Sequence, residues 1–302
     1  MDAHNLFAAS DTDAGGVSFV AIGDSFTEGL NDPAPGGGFG GWADRLAGML
    51  AVEDPALRYA NLAVRGKLLR QIVGEQVPAA LALLGQAAAR PGPERRLVGI
   101  AGGGNDILRP GGDPDTLAEL FDAAVARLRQ GGCRVLMFTG FDPVAFPVMR
   151  LLRGRIAAYN MHLRAIADNH GCDLVDLWSI RFLRVPAAWS SDRLHLTSES
   201  HRRVALRAAE VLGAPVTEDW RVPLRDDRHS TEVSDTLAEP HVAVALASRA
   251  AVSSRGAWVT ARREDARWAK EYFLPWINRR LHGTSSGDGV TAKRPDLGPV
   301  TT

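Results

Sequence analysis

The chain has 302 residues, 45 % of them hydrophobic, and its 35 basic residues are matched by 35 acidic ones. That length fits one large domain with an appendage, and the apolar content is ample for a sizeable core. A formal charge of zero gives no reason to expect nucleic acid as the main partner.

The first element is the apolar run 17–22, Val-Ser-Phe-Val-Ala-Ile, followed directly by Gly23-Asp24-Ser25-Phe26-Thr27-Glu28-Gly29. A strand that ends in a tight glycine turn lifts a serine hydroxyl clear of a sheet. Four further short apolar runs, 57–63, 96–101, 134–140 and 172–177, read as strands buried on both faces. Helical patterns fill the intervals at 42–51, 66–84, 114–129, 150–170 and 198–212. Strand–helix alternation predicts an α/β fold with a five-stranded parallel sheet and helices on both faces. Residues 1–213 form this domain. Residues 214–240, polar and proline-bearing, read as a linker or strap. Residues 241–302 read as a helical C-terminal extension whose last twenty residues, rich in Gly, Ser, Thr and Pro, are expected to be disordered.

In parallel sheets, ligands bind beyond the carboxyl ends of the strands. Ser25 follows the first strand, Gly66 the second and Asn105 the third. Asp192 and His195 follow the fifth, before the last helix of the core. All five therefore fall on one edge. A serine hydroxyl needs a base to become a nucleophile, and a histidine suits that task near neutral pH. An aspartate three residues earlier can orient and stabilise the imidazole. Ser25 N–H, Gly66 N–H and the Asn105 side chain are candidate donors to a developing oxyanion. Taken singly, Ser25 reads equally as a helix cap, Gly66 as a turn glycine, Asn105 as an Asx turn, and Asp192 with His195 as surface groups. The shared edge favours the catalytic reading.

Substrate-binding positions are sought among the large side chains after strand ends, and Phe26, Trp42, Phe141, Phe146 and Trp189 are the candidates. Glu28 is either a charge at the pocket mouth or a helix-entry acid. Gly36-x-Gly38-x-x-Gly41 follows no strand, so a dinucleotide cofactor is not expected. No histidine or cysteine spacing suggests a metal, and Cys133 and Cys172 read as reduced thiols.

These segments resemble the signature blocks of the SGNH, or GDSL-type, hydrolases. Ser25, Gly66, Asn105 and the Asp192–His195 pair match in order across residues 17 to about 213. Phe26 replaces the leucine of the eponymous motif, and Leu196 replaces the proline that often follows the histidine. The resemblance implies a flavodoxin-like three-layer fold, no metal, and hydrolysis of carboxylic esters. An acyltransferase or a thioesterase would use the same triad, and an inactive binding module is the reading from another class. The expected partner is a small ester or acylated molecule. The start of the chain lacks the pattern of a secretory signal, and no apolar stretch approaches the ~20 residues of a spanning helix, so a cytoplasmic protein is expected. Around residues 255–281, Trp268, Tyr272, Phe273, Trp276 and Ile277 recur at helical spacing among an excess of Arg and Lys. This segment is expected to dock, to self-associate, or to touch an anionic membrane surface. It is expected to contribute no catalytic group, so a chain cut near residue 235 should retain the Ser25 chemistry.

Overall fold

The computed structural model describes residues 6, 16–87, 95–146, 149–224, 267, 270–271 and 286–300. The first of its strands, β1 (Val17–Ile22), is buried along its whole length and forms the middle of the sheet. It pairs in parallel with β2 (Arg58–Asn61) on one side and β3 (Arg95–Ile100) on the other. Strands β4 (Arg134–Phe138) and β5 (Asp173–Val175) extend the parallel array beyond β3.

The strand side chains alternate between two cores. Val17, Phe19 and Ala21 face one core, and Val20 and Ile22 face the other. Helices α2 (Trp42–Glu53) and α8 (Ser198–Val211) cover the first face. The opposite face is covered by α4 (Val77–Ala87), α6 (Pro114–Gln130) and α7 (Arg153–His170). Three short helices, α1 (Ser25–Glu28), α3 (Leu69–Gln71) and α5 (Gly104–Ile107), sit at strand ends. Between α3 and α4 the chain forms a π-helical turn, Ile72–Gln76.

The expectation of five strands is corrected to six. Strand β6 (Arg294–Pro299) runs antiparallel to β2 and completes the order β5-β4-β3-β1-β2-β6. It falls where composition predicts disorder. Its two prolines are tolerated because an edge strand has one side without a ladder, and Leu297 is buried beneath it. Anchoring comes from side chains: Arg294 Nε donates to Tyr59 O at 2.9 Å, and Arg58 donates to Leu297 O. The aromatic positions of 255–281 lie outside the described residues.

The order of the central strands sets the site. Successive strands leave β1 to the β2 side first and then to the β3 side, so the crevice at the carboxyl end lies between β1 and β3. Ser25 follows β1 and Asn105 follows β3, on either side of that crevice.

Candidate active site

Ser25 is the first residue of α1, a single helical turn that starts directly behind β1. The turn into it is possible only with glycine at position 23, where φ is 151° and a Cβ would lie 2.6 Å from Ala101 O. Gln76 holds Gly23 from both sides: Gly23 N–H donates to Gln76 Oε1 at 2.7 Å, and Gln76 Nε2 donates to Gly23 O at 2.9 Å. Gln76 is buried at the end of the π-turn. Asp24 caps α1, accepting from Phe26 N–H at 3.1 Å. The Ser25 N–H thus lies in the first turn of a helix, among the donors that lack an intrahelical acceptor.

The loop after β5 returns to this point. His195 Nε2 lies 3.0 Å from Ser25 Oγ, and His195 Nδ1 lies 2.6 Å from Asp192 Oδ2. A tight turn, with Arg193 at φ 54°, places acid and base on one side. Asp192 accepts further from the N–H groups of Leu194 and His195 at 3.0 and 3.1 Å, and from Asn31 Nδ2 at 2.8 Å. Burial alone would raise the Asp192 carboxyl. The His195 hydrogen bond and charge, with the two backbone donors, outweigh burial and hold it below the usual carboxylate range. Asn31 carries no motif, and its role rests on the loop that presents it.

Gly66 sits at φ 74° in the loop after β2. Asn105, in α5, reaches the same edge, and its Nδ2 donates to Asp24 Oδ2 and to Lys67 O, both at 3.1 Å. The five chemical candidates are thus brought to one edge. Through these contacts the Asn105 amide braces the residues next to Ser25 and Gly66.

Several expectations are corrected. Trp42 is fully buried in the core, 4.3 Å from the Phe138 ring and 5.8 Å from that of Phe26. Phe146 and Trp189 are buried against each other at 5.5 Å, and Trp189 Nε1 donates to Leu183 O. These three side chains serve the core and do not line an open pocket. Phe26 and Phe141 are half-buried and pack on the same core. Glu28 is not at a pocket mouth: it is buried, pairs with Arg65, and accepts from Arg65 N–H at 2.7 Å.

Beneath the site lies a polar cluster that carries no motif in the sequence. Asp32 is fully buried and accepts from Gly41 N–H at 2.8 Å, from Arg45 in a bidentate pair, and from Ser198. Burial would raise its carboxyl, but these donors lower it. His201, also buried, stacks beside Phe26 at 6.2 Å, and neither ring nitrogen has a hydrogen-bond partner. Burial pushes its pKa down to about 3; Asp32 pulls the other way, while Arg45, His195 and Lys293 reinforce the shift. An unfolded chain protonates His201 near pH 6.5, whereas the folded chain does not until about pH 3. Stability from this group is therefore complete above pH 6.5 and is lost as pH falls toward 3, with a slope of at most about 1.4 kcal/mol per pH unit. Urea midpoints at pH 7 and pH 5 should differ more for the wild type than for His201→Leu.

Among the described residues, no group of three or more His, Cys, Asp or Glu could hold a metal ion, and no helix is long and apolar enough to cross a membrane. Cys133 and Cys172 are free thiols.

Solved structures share this fold at low sequence identity. An α/β hydrolase from the metagenome of Lake Arreo, Spain, is 23 % identical with a TM-score of 0.52, over 70 % of this chain and 99 % of its own. The acetylxylan esterase Axe2 of Geobacillus stearothermophilus is 18 % identical with a TM-score of 0.52, over 72 % and 100 %. A putative GDSL-like lipase of Parabacteroides merdae is 17 % identical with a TM-score of 0.55, over 67 % and 98 %. No curated protein matches the chain in sequence. The model of the GDSL-like lipase/acylhydrolase family matches residues 21–203, from the end of β1 into α8. With more than half of the chain so matched, on the same α/β frame as those hydrolases, the protein is a member of the GDSL-like lipase/acylhydrolase family.

Proposed function

We propose that the protein hydrolyses carboxylic esters through an acyl-enzyme on Ser25. The observation that carries this reading is the unbroken hydrogen-bonded run Ser25 Oγ–His195–Asp192 at the end of the central strand. In the first half-reaction Ser25 Oγ bonds to the ester carbonyl carbon while its proton passes to His195 Nε2. The carbonyl electron pair moves onto oxygen. Collapse then breaks the bond to the alcohol oxygen, which leaves with the His195 proton. Water repeats the sequence on the acyl-enzyme: it loses a proton to His195 and bonds to the acyl carbon, and collapse breaks the bond to Ser25 Oγ, which takes that proton back as the carboxylic acid leaves. Asp192 holds Nδ1 protonated, so that Nε2 is free to accept, and it stabilises the imidazolium.

The oxyanion is assigned to Ser25 N–H, Gly66 N–H and an N–H of Asn105 that turns from its loop acceptors as charge develops. Hydrogen bonds of this kind are often poorly aligned before substrate binds. Asn105→Ala should lower kcat by about 10²–10³ with KM little changed. Steady-state kinetics decide, since a raised KM at level kcat would make Asn105 a loop or binding residue only.

The overall test is release of p-nitrophenol from acetyl, butyryl and octanoyl esters, together with fluorophosphonate labelling of Ser25. Acetyl esters come first, because one similar structure is an acetylxylan esterase. Preferred turnover of an acyl thioester, or transfer to an added alcohol in place of water, would move the same chemistry to a thioesterase or an acyltransferase.

A further inference from the structure

The family match ends at residue 203, yet a lysine ninety residues later reaches the nucleophile turn. Lys293 directly precedes β6, and its side chain is one-fifth exposed. Its three Nζ–H groups are shared among four acceptors: Glu28 O at 2.7 Å, Phe39 O at 2.9 Å, Gly40 O, and Asp44 Oδ2 at 2.5 Å.

Three of these acceptors belong to the site's frame, and the fourth, Asp44, lies in the first turn of α2. Glu28 ends α1, the turn that Ser25 begins, and its carbonyl is one that a helix end leaves without an internal donor. Phe39 and Gly40 close the loop that begins at Asn31 and Asp32; Gly40 N–H donates to Asp32 O at 2.7 Å. Asn31 in turn holds Asp192. One ammonium group therefore ties the nucleophile turn to the loop that orients the triad acid.

A second contact comes from the same segment. A Cβ on Gly287 would lie 2.0 Å from Arg65 O, so the chain packs directly on the residue before Gly66. Arg65 is itself fixed by Glu28 through its backbone N–H and guanidinium. The segment 286–300 thus touches the frame of the nucleophile and of one oxyanion donor.

We propose that Lys293 is a positioning residue for the Ser25 chemistry, and that the C-terminal segment carrying it belongs to the catalytic unit. This rests on the ester-hydrolase reading above. It reverses the expectation that a chain cut near residue 235 keeps its reactivity, since that chain lacks Lys293.

The test compares the full-length wild type with Lys293→Met, which keeps the apolar stem and removes the cation. Turnover of p-nitrophenyl acetate is measured per site labelled by fluorophosphonate. The expected result is a kcat lower by about 10²-fold, the scale of a small misplacement of reacting groups, with KM little changed. Hydrogen exchange should quicken at residues 25–29 while residues 58–61 of β2 keep their protection. Lys293→Ala should regain turnover with added n-propylammonium, which restores the missing stem and donors, and not with tetramethylammonium, which has no N–H. Wild-type kcat per labelled site in Lys293→Met, or unchanged exchange at residues 25–29, overturns the proposal. If Lys293→Met does not fold, Lys293→Arg decides. Its planar fork does not reproduce the four contacts, so it should lose turnover, and wild-type turnover there refutes the role. If the wild type itself neither labels nor turns over ester, the hydrolase reading has failed. The exchange at residues 25–29 then decides alone whether Lys293 fixes the turn.

Discussion

Ser25→Ala is expected to lower ester turnover by about 10⁶-fold and to abolish fluorophosphonate labelling. The size follows from the unity of the relay. Without Oγ, His195 has no proton to take and no covalent intermediate forms, so the remaining groups act only on a water molecule that nothing positions. The substitution leaves the frame intact. Asp24 still caps α1 through Phe26 N–H, and Gln76 still clamps Gly23. Only the Oγ–Nε2 hydrogen bond is lost, a net change of about 1 kcal/mol in stability. A thermal scan should therefore place the variant within a few degrees of the wild type. Labelling that persists in the variant, or turnover within tenfold of the wild type, would assign the nucleophile elsewhere.

Strands β1–β5 were legible because they are short apolar runs covered by helices on both faces, and such runs have no other way to bury themselves. β6 was not legible, because Arg-Pro-Asp-Leu-Gly-Pro carries little intrinsic strand preference. What makes it a strand is its partner, β2, with the side chains of Arg58 and Arg294. The helical pattern over 66–84 was right in kind and wrong in detail. The chain turns at Gly66, starts helix at Leu69, and widens into a π-turn that carries Gln76 to Gly23. Periodicity does not register a single inserted turn, although such turns often mark functional sites.

The convergence of Ser25, Asp192 and His195 is legible because its pattern is local: a turn serine behind a strand, and an acid and a base three residues apart. The groups that hold them are not. Asn31, Asp32, Gln76 and Lys293 act across the fold, over separations that no spacing rule covers. The aromatic positions follow a related logic. A large side chain near a strand end can turn into the crevice or into the core, and Trp42, Phe146 and Trp189 turn inward. Direction is a property of packing, and the sequence around these residues does not encode it.

Asp192→Asn is expected to cost about 10⁴-fold in kcat with KM little changed, the scale at which a misoriented tautomer disables a triad. In the wild type Oδ2 accepts from His195 Nδ1 and from Asn31 Nδ2, so Nδ1 must carry the proton and Nε2 is left to accept from Ser25. Asparagine presents an oxygen and an NH₂ group. Oδ1 must still accept from the N–H groups of Leu194 and His195, so the NH₂ falls at the Oδ2 position and faces Nδ1. That N–H donates to Nδ1, places the ring proton on Nε2, and leaves no base toward Ser25. Asn31→Ala keeps the tautomer and should lose far less. Stability separates this account from general damage. The folded Asp192 carboxyl titrates below its ordinary value of 3.8, so its contribution is present above that pH and disappears as pH falls through the lowered value. The gap in urea midpoint between wild type and Asp192→Asn should therefore be present at pH 5 and narrow as pH falls below the ordinary carboxylate value of 3.8. The activity gap at pH 7 should far exceed what that stability difference explains. A variant that retains turnover within tenfold of the wild type would remove Asp192 from the relay.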